Sequence, residues 1–438
     1  MTENLKKREH SFCVHPWTNL LVNNPGTYQF CCITDMHNIT GEDGKVLRAG
    51  QGDMPEEAWN AKSLRDVRKA MLDGERLDIC KSCWNQETVG KESFRHRHNR
   101  EWEQRLGKEE IERRVEYSLK NDYTVDVNPD YLDLRLGNIC NLKCRMCNLW
   151  NSNQIEKEHH ELKTNIVYAD IWKREVKSGT NINVPSLKND WVETDKLWEQ
   201  LSSYIPGLKK VYFTGGEPTL VENNYGFMQE IIKAGYQDRI DIMFNTNCTN
   251  VQPRFIKLLS QFKHVQINVS IDGTGSVNDY IRPPSTWKSI RNNFIKIAKL
   301  PNVHVDISPV IMIYNILNIT DILDLAEEVS VMCDKIIDVD FLYCERPLCL
   351  DPMNLDEDIR TAAFIALWRA RDTWLYENSS ITRNNVEAYL TMLEGNRNEN
   401  WRQGMEDFWN LTEIWDTKRK QSFKDSVPVL YKMLHGQE

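Results

Sequence analysis

The chain has 438 residues and a net charge of −9 at pH 7, with 64 acidic side chains against 55 lysines and arginines, which argues against nucleic acid as a partner. Hydrophobic residues at 40% and charged residues at 27% describe an ordinary folded protein. No apolar run approaches the roughly 20 residues of a membrane span, and the first ten residues lack the apolar core of a secretion signal, so a cytoplasmic protein with no membrane association is expected.

Residues 1–100 hold five of the twelve cysteines in a loop-rich stretch. In a reducing compartment such cysteines are metal ligands or buried thiols rather than disulfides. The pattern turns helical from Pro55 to Leu72, with Gly74 as a C-terminal stop. The basic run Arg95-His96-Arg97-His98-Asn99-Arg100 reads as a solvated helix face. A charged helical connector occupies residues 101–128.

From Tyr131 the pattern becomes strand, then helix, repeatedly. Strands are expected at 131–136, 209–214, 239–245, 264–271, 303–311 and 335–343, and helices at 222–234, 285–299 and 319–330. Residues 151–206 form a long insertion, helical near its end. Six strand–helix units predict an α/β fold with a parallel sheet, open or closed into a partial barrel. Several strands alternate strictly, as in Val265-Gln266-Ile267-Asn268-Val269. Strands buried on both faces read as continuous apolar runs instead. One face should therefore meet helices while the other, carrying Asp133, Arg135, Asp306, Asp338 and Asp340, lines a hydrated lumen. A partial barrel over 129–350 fits this better than an open sheet, followed by a helical extension over 351–438.

Directly after the first strand come Cys140, Cys144 and Cys147, spaced C-x3-C-x2-C. Iron–sulfur clusters normally take four thiolates, so three on one loop leave an iron open, as a catalytic centre needs. Zinc is the rival, yet the loop has no adjacent fourth ligand.

The chain resembles the radical S-adenosylmethionine superfamily over residues 130–343. Four further motifs carry that resemblance: Thr214-Gly215-Gly216-Glu217-Pro218, Asn245-Thr246-Asn247, Ser270-Ile271-Asp272-Gly273 and Ile281-Arg282-Pro283, each at or beyond the end of a predicted strand. The resemblance implies a partial (β/α)6 TIM-like barrel in which Cys140, Cys144 and Cys147 hold a [4Fe-4S] cluster. By the same resemblance, Gly215, Gly216 and Glu217 bind the methionine amino group of S-adenosylmethionine. Ser270 and Arg282 hold its ribose and carboxylate, with Asn247 and Asp272 in the matching motifs. Met146 stands where many relatives have an aromatic residue, and can pack against adenine. The implied reaction is reductive cleavage of S-adenosylmethionine to methionine and a 5′-deoxyadenosyl radical, which takes a hydrogen atom from substrate. A one-electron donor such as flavodoxin or ferredoxin follows from it.

The N-terminal cysteines resemble the SPASM and twitch auxiliary-cluster modules, through Gly26-x4-Cys31 and the closing Cys80-x2-Cys83. This implies Cys13, Cys31, Cys80 and Cys83 as ligands of a second [4Fe-4S] cluster, with Cys32 a packing neighbour or a replacement for Cys31. A zinc knot or buried thiols are the alternatives. Here the module precedes the barrel, whereas in most relatives it follows.

A polar lumen suits a small polar substrate, to be oxidised, epimerised or otherwise modified. Peptide or protein maturation is the second reading, weakened because no leader-binding domain precedes the cysteine module. A zinc-stabilised binding protein with degenerate motifs is the alternative from another class. Cys344 ends the last predicted strand in the parity of Asp338 and Asp340. Strict alternation points it into the lumen, as packing, as an auxiliary-cluster ligand, or as a thiol that returns a hydrogen atom to a substrate radical.

Overall fold

The computed structural model describes residues 10–34, 37–49, 52–88, 90–177, 190–344 and 346–436. Part of the expected 151–206 insertion, residues 178–189, lies outside them. Ten strands occur among the described residues: β1 Asn19–Val22, β2 Tyr28–Gln29, β3 Tyr131–Arg135, β4 Lys210–Thr214, β5 Asp241–Thr246, β6 Val265–Val269, β7 Val303–Ile307, β8 Val310–Ile311, β9 Asp338–Val339 and β10 Leu342–Tyr343. Eight form one sheet in the order β2-β1-β3-β4-β5-β6-β7-β9. The pairs β1–β3, β3–β4, β6–β7 and β7–β9 run parallel, and β1–β2 runs antiparallel. Helices Glu222–Lys233, Pro253–Leu259 and Trp287–Ala298 connect successive strands. The result is the expected α/β architecture of a partial barrel, with a largely parallel sheet and a helical C-terminal region. Among the described residues no helix is long and apolar enough to cross a membrane.

The described residues fall into two compact units, one within Met1–Gly137, Leu187–Met243 and Gln261–Lys263, the other within Asn138–Ser186, Phe244–Ser260 and His264–Glu438. In the first, helix Lys62–Leu72 buries Leu64, Val67, Arg68 and Met71, the spacing of one helix face. Gly74, at φ +87°, follows the helix end as expected. Arg68 is tolerated on the buried face because its guanidinium donates to the carbonyls of Pro16 and Trp59 (2.8 Å each), to Asn60 Oδ1 (3.0 Å) and to the Tyr123 carbonyl (3.1 Å).

One strand was not expected. Asn19-Leu20-Leu21-Val22 lies inside the cysteine-rich stretch, yet it pairs in register with Tyr131 to Leu134. Its residues are 0–1% exposed, the continuous burial of an inner parallel strand.

The second unit departs from expectation at the last strands. The run 303–311 breaks after Ile307, with Pro309, which has no N–H to give a ladder, in the gap before β8. The run 335–343 breaks too, and β8 pairs with β10 in a separate two-stranded sheet. Side chains of helix Ser380–Leu393 take up this edge: Val339 N donates to Thr382 Oγ1 (3.0 Å) and Phe341 N to Asn385 Oδ1 (2.9 Å). Capping an edge in this way keeps it from pairing with another chain.

Candidate active site

In the second unit the three cysteines sit on an irregular loop between β3 and helix Asn153–Leu162. Its base is tied by fully buried Asn138, which donates to the Leu149 carbonyl (3.1 Å) and Glu156 Oε2 (2.9 Å). Ser152 caps the helix through Ile155 N (3.3 Å) and donates to the Leu142 carbonyl (2.8 Å), and Cys140 N donates to Asn153 Oδ1 (3.2 Å).

Donors aim at the sulfurs. Leu142 N lies 3.5 Å and Asn247 Nδ2 3.9 Å from Cys140 Sγ, and Arg282 Nη1 lies 3.5 Å from Cys144 Sγ. Such donors favour thiolate over thiol. Burial nevertheless pushes the Cys147 thiol up, and neighbouring Cys144 and Cys140 push it further. Three crowded acids of this kind want a cationic centre among them. Three thiolates on one loop fit an iron–sulfur cluster with one iron left without a protein ligand, whereas a closed structural zinc site takes four ligands.

Arg282 is buried and ion-paired to Asp272 Oδ2 at 2.6 Å. Burial alone would lower its pKa, but Asp272 and Cys144 beside it keep the guanidinium charged. Asp272 is fully committed: its Oδ1 also accepts from Val310 N (2.8 Å) and its carbonyl from Asn315 Nδ2 (2.8 Å). It therefore holds Arg282 in place. Asn247 is engaged with the cysteine loop, donating to Asn141 Oδ1 (3.0 Å) while Thr249 donates to its own Oδ1. Ser270 follows β6, with its N–H on the Thr246 carbonyl (2.9 Å), and Met146 is half-buried on the loop.

In the first unit the Gly-Gly-Glu turn closes on the end of β3. Gly215 has φ +116°, and a Cβ there would lie 3.0 Å from Leu136 N and 3.1 Å from the Gly137 carbonyl. Only glycine fits. Gly216 N donates to the same Gly137 carbonyl (3.2 Å), as does Asn24 Nδ2 (2.9 Å), an N-terminal residue that sequence reasoning missed. Glu217 is 1% exposed, and its Oε1 accepts from Thr219 N (3.1 Å) and Oγ1 (2.6 Å), which fixes the carboxylate's direction.

The N-terminal cysteines of the same unit come together. Burial pushes Cys13 and Cys80 each up to about 12, with Cys80 and Cys83 adding to the shift of Cys13 and Cys83 to that of Cys80. Cys31 is raised by its contact with Cys32, by burial and by Cys13. Cys32 feels Cys31, Asp133 and Arg135, whereas Cys31 feels Cys13 besides Cys32. The basic run beside them is not wholly solvated. Arg97 and Arg100 are exposed, but Arg95 is 4% exposed, pairs with Glu87 (2.8 Å) and donates to the Phe12 carbonyl (2.8 Å). Helix Phe94–Leu106 turns that position inward, where its charge offsets part of the rise that burial gives the thiols of Cys13, Cys80 and Cys83.

The expected lumen acids are paired. Arg135 meets Asp133 (3.1 Å), Gln266 donates to Asp306 (3.0 Å), and His304 lies 2.9 Å from Asp306. Ser379 donates to Asp338, Asn268 donates to Asn245 (2.8 Å), and Asp340 is exposed. Cys344 loses its parity argument, because no single strand joins it to Asp338. Its thiol is buried and donates to the Arg346 carbonyl (3.2 Å), and burial pushes its pKa up. Cys344→Ser is expected to keep full iron and normal product; lost iron, or product lacking solvent deuterium, would assign the thiol a role.

Compared with known families, residues 134–329 match the radical SAM superfamily. Among solved structures, native anSMEcpe with bound AdoMet is 18% identical over 54% of this chain and 58% of its own, with a TM-score of 0.36. SuiB of Streptococcus suis bound to S-adenosylmethionine is 12% identical over 70% and 63%, with a TM-score of 0.38. TYW1 with a lysine-pyruvate adduct bound is 17% identical over 55% and 70%, with a TM-score of 0.28. This chain thus spans 58% of the length of the first of them. No curated protein matches.

Proposed function

We propose that this chain, whose residues 134–329 match the radical SAM superfamily, is a radical SAM enzyme in which Cys140, Cys144 and Cys147 hold a [4Fe-4S] cluster with an iron open to S-adenosylmethionine. One observation carries the assignment: Arg282 and Asn247, from the ends of two barrel motifs, converge on the sulfurs of Cys144 and Cys140. When bound, the cluster supplies the electron that cleaves S-adenosylmethionine reductively. The chain's own residues bind and orient. Arg282 presents a fixed cation to the carboxylate of S-adenosylmethionine. Glu217, locked by Thr219, presents a carboxylate to its ammonium. Gly215 and Gly216 allow close backbone approach, and Ser270 takes the ribose. Cys13, Cys31, Cys80 and Cys83 hold a second, twitch-like cluster, for which Arg95 supplies nearby positive charge.

The substrate is polar. Asn245, Asn268, Gln266, Asp306 and His304 form a hydrogen-bonded polar run along β5, β6 and β7, a surface that suits a polar substrate better than an apolar one. The setting is cytoplasmic, with flavodoxin or ferredoxin as donor. Anaerobic protein reduced with dithionite should form 5′-deoxyadenosine slowly alone and faster with pools of small polar metabolites. Stimulation by peptides only would overturn the substrate reading; no 5′-deoxyadenosine under any condition would overturn the whole assignment.

A further inference from the structure

Arg145 stands between two of the cysteines, directly after Cys144, and its side chain is wholly buried. An arginine is seldom buried unless something demands it. Its guanidinium lies 3.6 Å over the Tyr280 ring, donates through Nε to the Tyr280 carbonyl (3.0 Å), and through Nη2 to Asp416 Oδ1 (2.5 Å) and Gln421 Oε1 (3.1 Å). Asp416 is in turn fixed by the Tyr280 hydroxyl (2.8 Å) and by Phe423 N (2.7 Å). It lies on helix Trp401–Arg419, 271 residues further along the chain and outside the matched domain.

A second pair joins the same two regions. Arg419, the last residue of that helix, meets Glu158 at 2.5 Å with both side chains at most 3% exposed. Glu158 belongs to helix Asn153–Leu162, which follows the cysteine loop, and also meets Lys143 (3.5 Å) between Cys140 and Cys144. Backbone contacts complete the seat: Lys143 N on the Pro283 carbonyl (2.7 Å) and Arg145 N on the Ile281 carbonyl (2.9 Å).

We propose that helix Trp401–Arg419 is a clamp on the cysteine loop, with Asp416 a positioning residue that acts through Arg145. A buried ion pair adds little net stability against an apolar replacement, but breaking it leaves a charge stranded, so it selects one arrangement. Here the selected arrangement is that of a loop with no regular structure whose three sulfurs must be spaced for a cluster.

The proposal rests on the reading that this loop carries iron, and the test separates the two. Full-length protein is reconstituted anaerobically, and release of its iron to a ferrous chelator is followed, with the Cys140→Ala/Cys144→Ala/Cys147→Ala variant supplying the baseline for iron held elsewhere. Asp416→Asn should release the loop's iron about tenfold faster or more, because it strands Arg145. Asp416→Glu should restore slow release. Tyr280→Phe, which removes a hydrogen bond to Asp416 but keeps the ion pair, should release at the wild-type rate. If Asp416→Asn does not fold, Arg145→Met with Asp416→Leu removes both charges together and should fold, yet still lose iron fast. Wild-type release from either folded variant overturns the clamp alone. A wild-type protein with no more iron than the triple variant overturns the cluster reading and the clamp with it.

Discussion

Replacing Cys80 and Cys83 together by alanine will halve the iron of the reconstituted protein, from about eight to about four per chain, and loosen residues 10–88. Both effects have one origin. Among its described residues this stretch holds two short strands, helices and turns, and burial makes the thiols of Cys13, Cys80 and Cys83 reluctant to ionise. Metal binding to such a site is folding free energy, because the unfolded chain cannot assemble it. Iron analysis with limited proteolysis measures both effects. The cleavage of S-adenosylmethionine without substrate should persist, because that site lies on other residues. Full iron in the double variant would place the ligands elsewhere.

Arg282→Ala carries the second large effect. The arginine and Asp272 are a buried pair, and removing one partner of such a pair costs about 3–5 kcal/mol because the other stays behind uncompensated. Affinity for S-adenosylmethionine should fall about ten- to a hundredfold besides, the usual cost of a lost charge-assisted contact. Arg282→Lys keeps the charge but not the planar fork, so it should recover much of the stability and little of the binding. Denaturant unfolding and calorimetry read the two separately. Wild-type affinity in a folded Arg282→Ala protein would remove Arg282 from the binding site.

Local patterns made much of this molecule legible. The strict alternation of β6 pointed to the sheet and the cysteine spacing to the loop after β3. What escaped depends on long-range partners. Asn19–Val22 is four residues long and shows no alternation, so it is not read as a strand until β3 is beside it. Arg68, Arg95 and Arg145 look like surface charges in sequence. Their acceptors are backbone carbonyls and carboxylates brought in by the fold, in one case from 271 residues away. The last strands failed for a local reason, Pro309, compounded by a helix that caps the edge with Thr382 and Asn385.

The most direct test of the central claim is 5′-deoxyadenosine formed from S-adenosylmethionine by anaerobically reduced protein, wild type against Cys140→Ala/Cys144→Ala/Cys147→Ala. Wild type should form it, and the triple variant should form none while retaining about four irons per chain at the N-terminal cysteines. Equal formation by the triple variant would contradict the claim that these three cysteines hold the catalytic cluster.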